Sequence, residues 1–473
     1  MDILSRVGRH STGTVSRPRW PLAAGLVVVT VAAMAAILGG AAARRSTGSG
    51  ETRPPVRAAA EVTPLSFDVA APPPGRWPRW GMTHTQYSAT EDEPAAAARA
   101  REALRDVPVV QNQHIMGFGA GNPEPEPGAY DFSSLDERVR LMAETGAAPV
   151  ITLCCAPDWM KGGRPGETDW SLLEIAPRHE HFPDFARLAA AVARRYPGVR
   201  HFIVWNEFKG FWDGPRREWN AAAYTELYNQ VYDALKAVDP AIKVGGPYVP
   251  VSSRAGGAAA SEVSGPWGAV DRKVLKAVDY WLRHKRGADF VVVDGGVTSE
   301  EGRARPDEFG ALGKFGAMTR WLRERSDLPV WWAEFYPLPC ASLEPGGACP
   351  ALGWDERHRT AVIAAALVEL AGSGAHTALY WDTHRPKTRD CPLCLWSGDD
   401  GAPTPALALL RDFARWFPEG AEPVEVDVSV PSVRALAGAG RTIVVNTADG
   451  RVTARVDGRD LTLEPYEVRW VER

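Results

Sequence analysis

From Trp77 onward one pattern recurs eight times. A short apolar run ends in polar residues, a stretch with helical spacing of its apolar positions follows, and the next apolar run begins. The runs are Trp80–Gln86, Val107–Ile115, Ala148–Cys154, His201–Glu207, Ile242–Gly246, Asp289–Asp294, Leu328–Glu334 and His376–Asp382. The helices are expected at Pro94–Arg105, Leu135–Thr145, Phe182–Tyr196, Ala221–Val238, Arg272–His284, Phe309–Arg325, Glu356–Ala371 and Ala406–Trp416. Apolar strands alternating with amphipathic helices imply a parallel sheet covered by helices on one face. Eight such units over about 340 residues fit an α/β fold of the (β/α)8 TIM-barrel type with enlarged loops. A doubly wound open sheet would bring a Gly-rich phosphate turn after an early strand, and the sequence has none there.

After Pro423 the periodicity changes to two, in Val424–Val430, Arg441–Asn446, Val452–Val456 and Tyr466–Trp470, with hairpin signals at Asp449-Gly450 and Asp457-Gly458. Residues 421–473 are expected to form a small antiparallel, sandwich-like β domain resting on a catalytic barrel at 76–420, because so few strands are seldom stable alone.

The N-terminal end reads differently. Trp20 to Ala43 contains no charged residue and is long enough to span a bilayer as a helix. Arg6, Arg9, Arg17 and Arg19 precede it, which keeps a segment 1–19 cytoplasmic and places everything after Arg45 outside. Ala41–Ala43 also suits signal cleavage, so a membrane anchor and a removed signal segment compete. Residues 44–75, rich in Ala, Pro, Arg, Thr and Ser, read as a linker. The chain is expected at the outer face of the cell membrane or secreted. A net charge of −4 argues against a nucleic-acid partner. The 18 tryptophans suit either core packing or stacking on sugar faces.

Catalytic groups of a barrel lie at the C-terminal ends of its strands. The carboxylates in such places are Glu207, Asp294, Glu334 and Asp382. Two facing carboxylates suit glycoside hydrolysis, in which one donates a proton to the departing oxygen while the other attacks the anomeric carbon or activates water. His84, Asn112 and His114 end strands one and two, where they suit either hydroxyl recognition or polar packing inside the barrel. Trp159 shapes a subsite or anchors a loop, and Tyr336, two residues beyond Glu334, is a further candidate sugar contact. No cofactor is expected, and no metal, since no His/Asp cluster with ligand spacing is evident. Among the six cysteines, Cys340, Cys349, Cys391 and Cys394 fall in the loops after strands seven and eight. Disulfides are preferred there outside the cell, with zinc the alternative. Cys154 and Cys155 are expected to be free buried thiols, because strand alternation sends neighbouring side chains to opposite faces.

Val204-Trp-Asn-Glu207 resembles the acid/base signature of the clan of retaining (β/α)8 glycosidases. Phe202–Trp212, Tyr224–Tyr228 and Val238–Pro247 are similar to glycoside hydrolase family 39, as are Pro127–Phe132 and Ala156–Met160. That family includes β-xylosidases, α-L-iduronidases and exopolysaccharide hydrolases. The resemblance implies that Glu207 is the acid/base, Glu334 the nucleophile, Asn206 a partner of the sugar 2-hydroxyl, and Trp381 the floor of the sugar-binding subsite. Two positions depart from the family pattern. Phe208-Lys209 stands where Pro-Asn is usual, and Asp294 where strand six often ends in His or Tyr. A lysine near Glu207 favours its ionised form. The expected function is retaining hydrolysis of a β-linked oligo- or polysaccharide, xylosidase-like or exopolysaccharide-hydrolase-like. The alternative is a glycan-binding or assembly protein with impaired turnover on the same barrel.

Overall fold

Eight parallel strands close on themselves in the order β1-β8-β7-β6-β5-β4-β3-β2. The strands are β1 (Trp80–Thr83), β2 (Val110–His114), β3 (Ala148–Leu153), β4 (His201–Val204), β5 (Lys243–Pro250), β6 (Phe290–Gly296), β7 (Val330–Tyr336) and β8 (Thr377–Tyr380). The helices are α1 (Pro94–Arg105), α2 (Ser133–Glu144), α3 (Phe182–Arg195), α4 (Ala221–Val238), α5 (Arg272–His284), α6 (Gly313–Arg325), α7 (Glu356–Gly372) and α8 (Pro405–Trp416). The fold is therefore a (β/α)8 barrel, and each helix lies within a few residues of its expected place. The computed structural model describes residues 62–65, 77–86, 88, 94–105, 109–257, 260–339, 353–381, 394–438 and 440–473. The segments 1–19 and 20–43, nearly all of the linker, and Asp382, Cys340, Cys349 and Cys391 lie outside the described residues. Among the described residues no helix is long and apolar enough to cross a membrane.

Strand alternation sorts the side chains. Val110, Val150, Ile203, Phe290, Val292, Trp331 and Leu379 fill the barrel interior. Their neighbours Trp80, Ile151, Val204, Val291 and Trp332 join the larger core shared with the helices. The interior is closed at its N-terminal pole by stacked aromatic rings. Trp331 lies 4.0 Å from Phe290 and 5.4 Å from Trp77, ring centre to ring centre. The Trp77 indole donates to the Thr377 hydroxyl at 2.9 Å. Burial pushes the nearby His201 down to about 3, so this plug is uncharged at neutral pH. The aromatic packing thus fills the N-terminal pole of the barrel.

The C-terminal region forms β9 (Val424–Glu425), β10 (Val433–Ala437), β11 (Arg441–Asn446), β12 (Val452–Val456), β13 (Arg459–Leu463) and β14 (Val468–Glu472). A four-stranded sheet runs β9-β10-β11-β14, and β12 and β13 form a separate hairpin. Tyr466 stacks on His358 of α7 with ring centres 3.7 Å apart, and Arg434 donates to the Phe309 carbonyl at 2.7 Å, tying this region to the barrel. Asp457 (φ 49°) and Gly458 (φ 77°) make the tight turn of the hairpin, as their sequence requires. Asp449-Gly450 does not turn a hairpin, because β11 pairs with β14 rather than with β12.

Cys154 and Cys155 are not free thiols: they are disulfide-bonded to each other. β3 ends at Leu153, so strand alternation no longer separates the two side chains. Cys394 is disulfide-bonded too.

At one glycine the barrel wall leaves no room for a side chain. A Cβ on Gly81 would lie 1.8 Å from the Val110 carbonyl oxygen of β2. Gly81→Ala must shift one strand against the next and should cost about 1–3 kcal/mol or more. Gly214→Ala, with nothing within 4 Å of its Cβ, should leave the melting temperature unchanged. Differential scanning calorimetry of the pair checks this; equal melting temperatures would contradict the packing described.

Candidate active site

Glu207 does not sit on a strand. β4 stops at Val204, and the chain turns through Trp205 (φ 68°), Glu207 (φ 48°) and Phe208 (φ 54°). Non-glycine residues in the left-handed region cost on the order of 1–3 kcal/mol each and persist only where the surroundings hold them. Here the Trp205 indole donates to the Lys209 carbonyl at 2.8 Å, and the Lys209 amide donates to the Asn206 carbonyl at 3.0 Å. The Phe208 ring packs 4.3 Å from Tyr224. The turn delivers Asn206 and Glu207 together to the mouth of the barrel.

Glu334 is aimed by a bulge. Trp331 and Ala333 face the interior, so strict alternation would send Glu334 to the helices. The β6–β7 register pairs Val293 with Trp332 and Asp294 with Glu334, leaving Ala333 as an extra residue. Such bulges re-aim side chains beside active sites. A second shift, between Val292 and Val293 against β5, leaves Tyr248 unpaired with φ 54°. The Ala333 bulge is braced from below. Asn112 donates to the Thr83 hydroxyl at 3.1 Å, which donates to the Ala333 carbonyl at 2.6 Å, and Thr152 donates to Asn112 at 2.9 Å.

Three carboxylates therefore converge: oxygens of Glu207, Asp294 and Glu334 lie within 4.8 Å of one another. Sequence spacing does not reveal the cluster, since its members come from the turn after β4 and from β6 and β7. The Lys209 ammonium lies 2.8 Å from Glu207 and also pairs with Glu174. Tyr248 donates to one Glu334 oxygen at 2.5 Å and Tyr336 donates to the other.

The charges follow from these partners. Burial raises the Glu207 carboxyl, but the Lys209 ammonium and the nearby Asp294 carboxyl outweigh it and hold it below the usual range. Glu334 is pushed up to about 8 by burial and by the charge of Glu207, against the two tyrosine hydroxyls. Asp294, fully buried, is raised well above the carboxylate range by burial and by Glu207.

The remaining candidates separate into two groups. His114, pushed down to about 3 by burial, lies beside Asn206 with its ring 4.2 Å from Phe118. Trp381 stands between Phe118 (5.7 Å) and Tyr336 (6.4 Å), which brings it to the same mouth. The other three are not brought there. His84 bonds Gln111 at 2.9 Å, and Gln111 in turn bonds Thr145 at the end of α2, which places His84 on the helix side of the wall. The side chain of Asn112 is used in the brace. Trp159 donates to the Glu124 carbonyl at 2.9 Å and packs on His181. Sequence reading missed Tyr248, because the expected fifth strand stopped at Gly246, and Glu174, which lies in a loop without regular spacing.

The family model for glycosyl hydrolases family 39 matches residues 122–345, a span holding all three carboxylates. Over that span the chain is similar to family 39. A family-39 β-xylosidase from Caulobacter crescentus has a similar fold, with TM-score 0.51 and 18% identity over 88% of this chain and 97% of that one. SrfJ from Salmonella typhimurium gives TM-score 0.52 and 12% identity over 83% and 90%. A glucosidase from Croceicoccus marinus gives 0.50 and 14% over 84% and 83%. No curated protein matches the chain by sequence. The family match supports a glycoside hydrolase with a carbohydrate substrate.

Tyr248→Phe removes a donor that favours the Glu334 carboxylate, so the titration of Glu334 should move above about 8. Carboxyl 13C NMR of glutamate-labelled protein checks this; a shift to lower pH would contradict the assigned hydrogen bond.

Proposed function

We propose that this protein is a retaining glycosidase acting on β-linked glycans by double displacement, with Glu334 as nucleophile and Glu207 as acid/base. The observation that carries the proposal is the spacing of their oxygens, within 4.8 Å. Inversion needs about 6.5–9.5 Å between carboxyls to admit a water, whereas retention uses about 5–5.5 Å. In the first step Glu334 attacks the anomeric carbon while Glu207 protonates the departing oxygen. In the second, Glu207 takes a proton from the water that releases the sugar. Asn206, with its carbonyl oxygen buried and unpartnered among the described residues, suits the sugar 2-hydroxyl, and Trp381 suits stacking under the ring. The substrate class is xylosidase-like or exopolysaccharide-like. The uncharged stretch 20–43 supports action outside the cell, through a membrane anchor or after signal removal.

The Lys209–Glu207 ion pair favours a second reading, a glycan-binding or assembly protein with impaired turnover, because it holds the acid in its ionised form. Glu207→Ala and Glu334→Ala separate the two. The glycosidase reading expects each to lower kcat by at least about 100-fold. Unchanged turnover in both variants, with glycan binding retained, supports the second reading.

Incubation with 2-deoxy-2-fluoro glycosyl fluorides of several configurations, followed by peptide mass spectrometry, should find the label on Glu334. Labelling elsewhere, or none with an active enzyme, would remove it from the nucleophile's role. The nucleophile must be ionised, and its carboxyl loses its proton as pH rises through about 8. The acid limb of kcat/KM should therefore lie near that pH, with activity falling below it. A limb near pH 4–5, the range of an ordinary carboxyl, would contradict this assignment.

A further inference from the structure

The protein holds Glu207 ionised through Lys209, yet double displacement needs a proton on that carboxyl when the leaving group departs. The environment of Asp294 supplies one. Its side chain is fully buried, and among the described residues no N–H or O–H reaches either carboxyl oxygen. An oxygen of Glu207 and one of Glu334 lie within 4.8 Å of its own carboxyl. Carboxyls this close in a buried space repel when both are ionised, which favours a proton on one of them.

The partners decide where that proton sits. Glu207 has the Lys209 ammonium at 2.8 Å, and Glu334 has the hydroxyls of Tyr248 and Tyr336. Asp294 has no donor, and a buried ionised carboxylate without one is the costliest of the three. The charges of Glu207, Glu334 and Lys209 act on it, and so does Lys314 on α6, which donates to the Gly296 carbonyl at 2.8 Å. Burial lowers Lys314 to about 7, so that lysine loses its charge above neutrality and does not hold Asp294 ionised there. Burial and the Glu207 charge together keep the Asp294 carboxyl protonated well beyond the usual range.

We propose that Asp294 stores the proton used in catalysis, a neutral carboxyl that passes its hydrogen to Glu207 as the leaving group departs and recovers it afterwards. This rests on the retaining-glycosidase reading. In glycosylation the Asp294 proton moves to the ionised Glu207 and from there to the glycosidic oxygen, leaving Asp294 ionised. The bond between the anomeric carbon and that oxygen breaks as Glu334 bonds to the carbon. In deglycosylation water adds to the carbon, its proton passes to Glu207, and Glu207 restores Asp294. Over the cycle one water is consumed and one alcohol released, with no net proton change. Asp294 does not touch the sugar in this scheme; it acts through Glu207.

The test is leaving-group dependence. On the glycone that the wild-type enzyme hydrolyses, Asp294→Asn should lower kcat/KM for the phenyl glycoside by about 100-fold or more, the scale of general acid catalysis. The 2,4-dinitrophenyl glycoside departs without a proton, so its kcat/KM should change less than about 3-fold, and the alkaline limb of the pH profile should move. An equal loss on both substrates, or no loss on either, would overturn the proposal while leaving the glycosidase reading in place. A wild-type protein that turns over no glycoside would overturn both. A second measurement needs no variant. In wild-type protein labelled with [4-13C]aspartate, one carboxyl should remain protonated at pH 7; if every aspartate ionises below pH 6, Asp294 holds no proton and the proposal fails.

Discussion

Three carboxyl groups and one lysine share a small buried space at the mouth of the barrel, and the rest of the site is arranged around the repulsion among them. Two ionised carboxylates whose oxygens lie within 4.8 Å repel by roughly 3 kcal/mol or more at the effective dielectric of a protein surface. Lys209 offsets one negative charge and the hydroxyls of Tyr248 and Tyr336 stabilise a second. The third group, Asp294, has no such help, and its carboxyl is raised well above the usual range. The cluster therefore holds Glu207 below the usual range and Glu334 above it. Macroscopic titrations of such a cluster belong to the group as a whole.

Holding that cluster takes more than ends of strands. Glu207 rides on a turn with three non-glycine residues at positive φ, clamped by the Trp205 indole and by Phe208 packed on Tyr224. Glu334 is redirected by an extra residue in β7, and that bulge is braced by the Asn112–Thr83 relay inside the barrel. The strain is offset elsewhere, by the aromatic plug at the opposite pole and by helices that cover the strands. This division of labour between poles is general for the fold: one end packs, the other reacts.

The candidate residues divide along the same line. Glu207, Asp294, Glu334, Asn206, His114, Tyr336 and Trp381 lie at or near the C-terminal ends of different strands and converge, because side-chain parity or a local irregularity turns each inward. His84 ends a strand as well, but its parity sends it behind the wall to Gln111, and Asn112 lies one layer too deep. Cys154 and Cys155 show how a parity argument fails one residue beyond a strand's end.

Sequence alone determined the eight-unit barrel, the positions of its helices and the two glutamates that the structure brings together at the barrel mouth. Those features rest on local hydrophobic periodicity and on residue types at strand ends, both of which are written along the chain. Tertiary structure decided where the charges reside. The bulges at Tyr248 and Ala333, the meeting of Asp294 with Glu207, and the capture of Lys209 between Glu207 and Glu174 depend on register between strands distant in sequence. Electrostatic energy depends on distance in space, and no spacing along the chain encodes it.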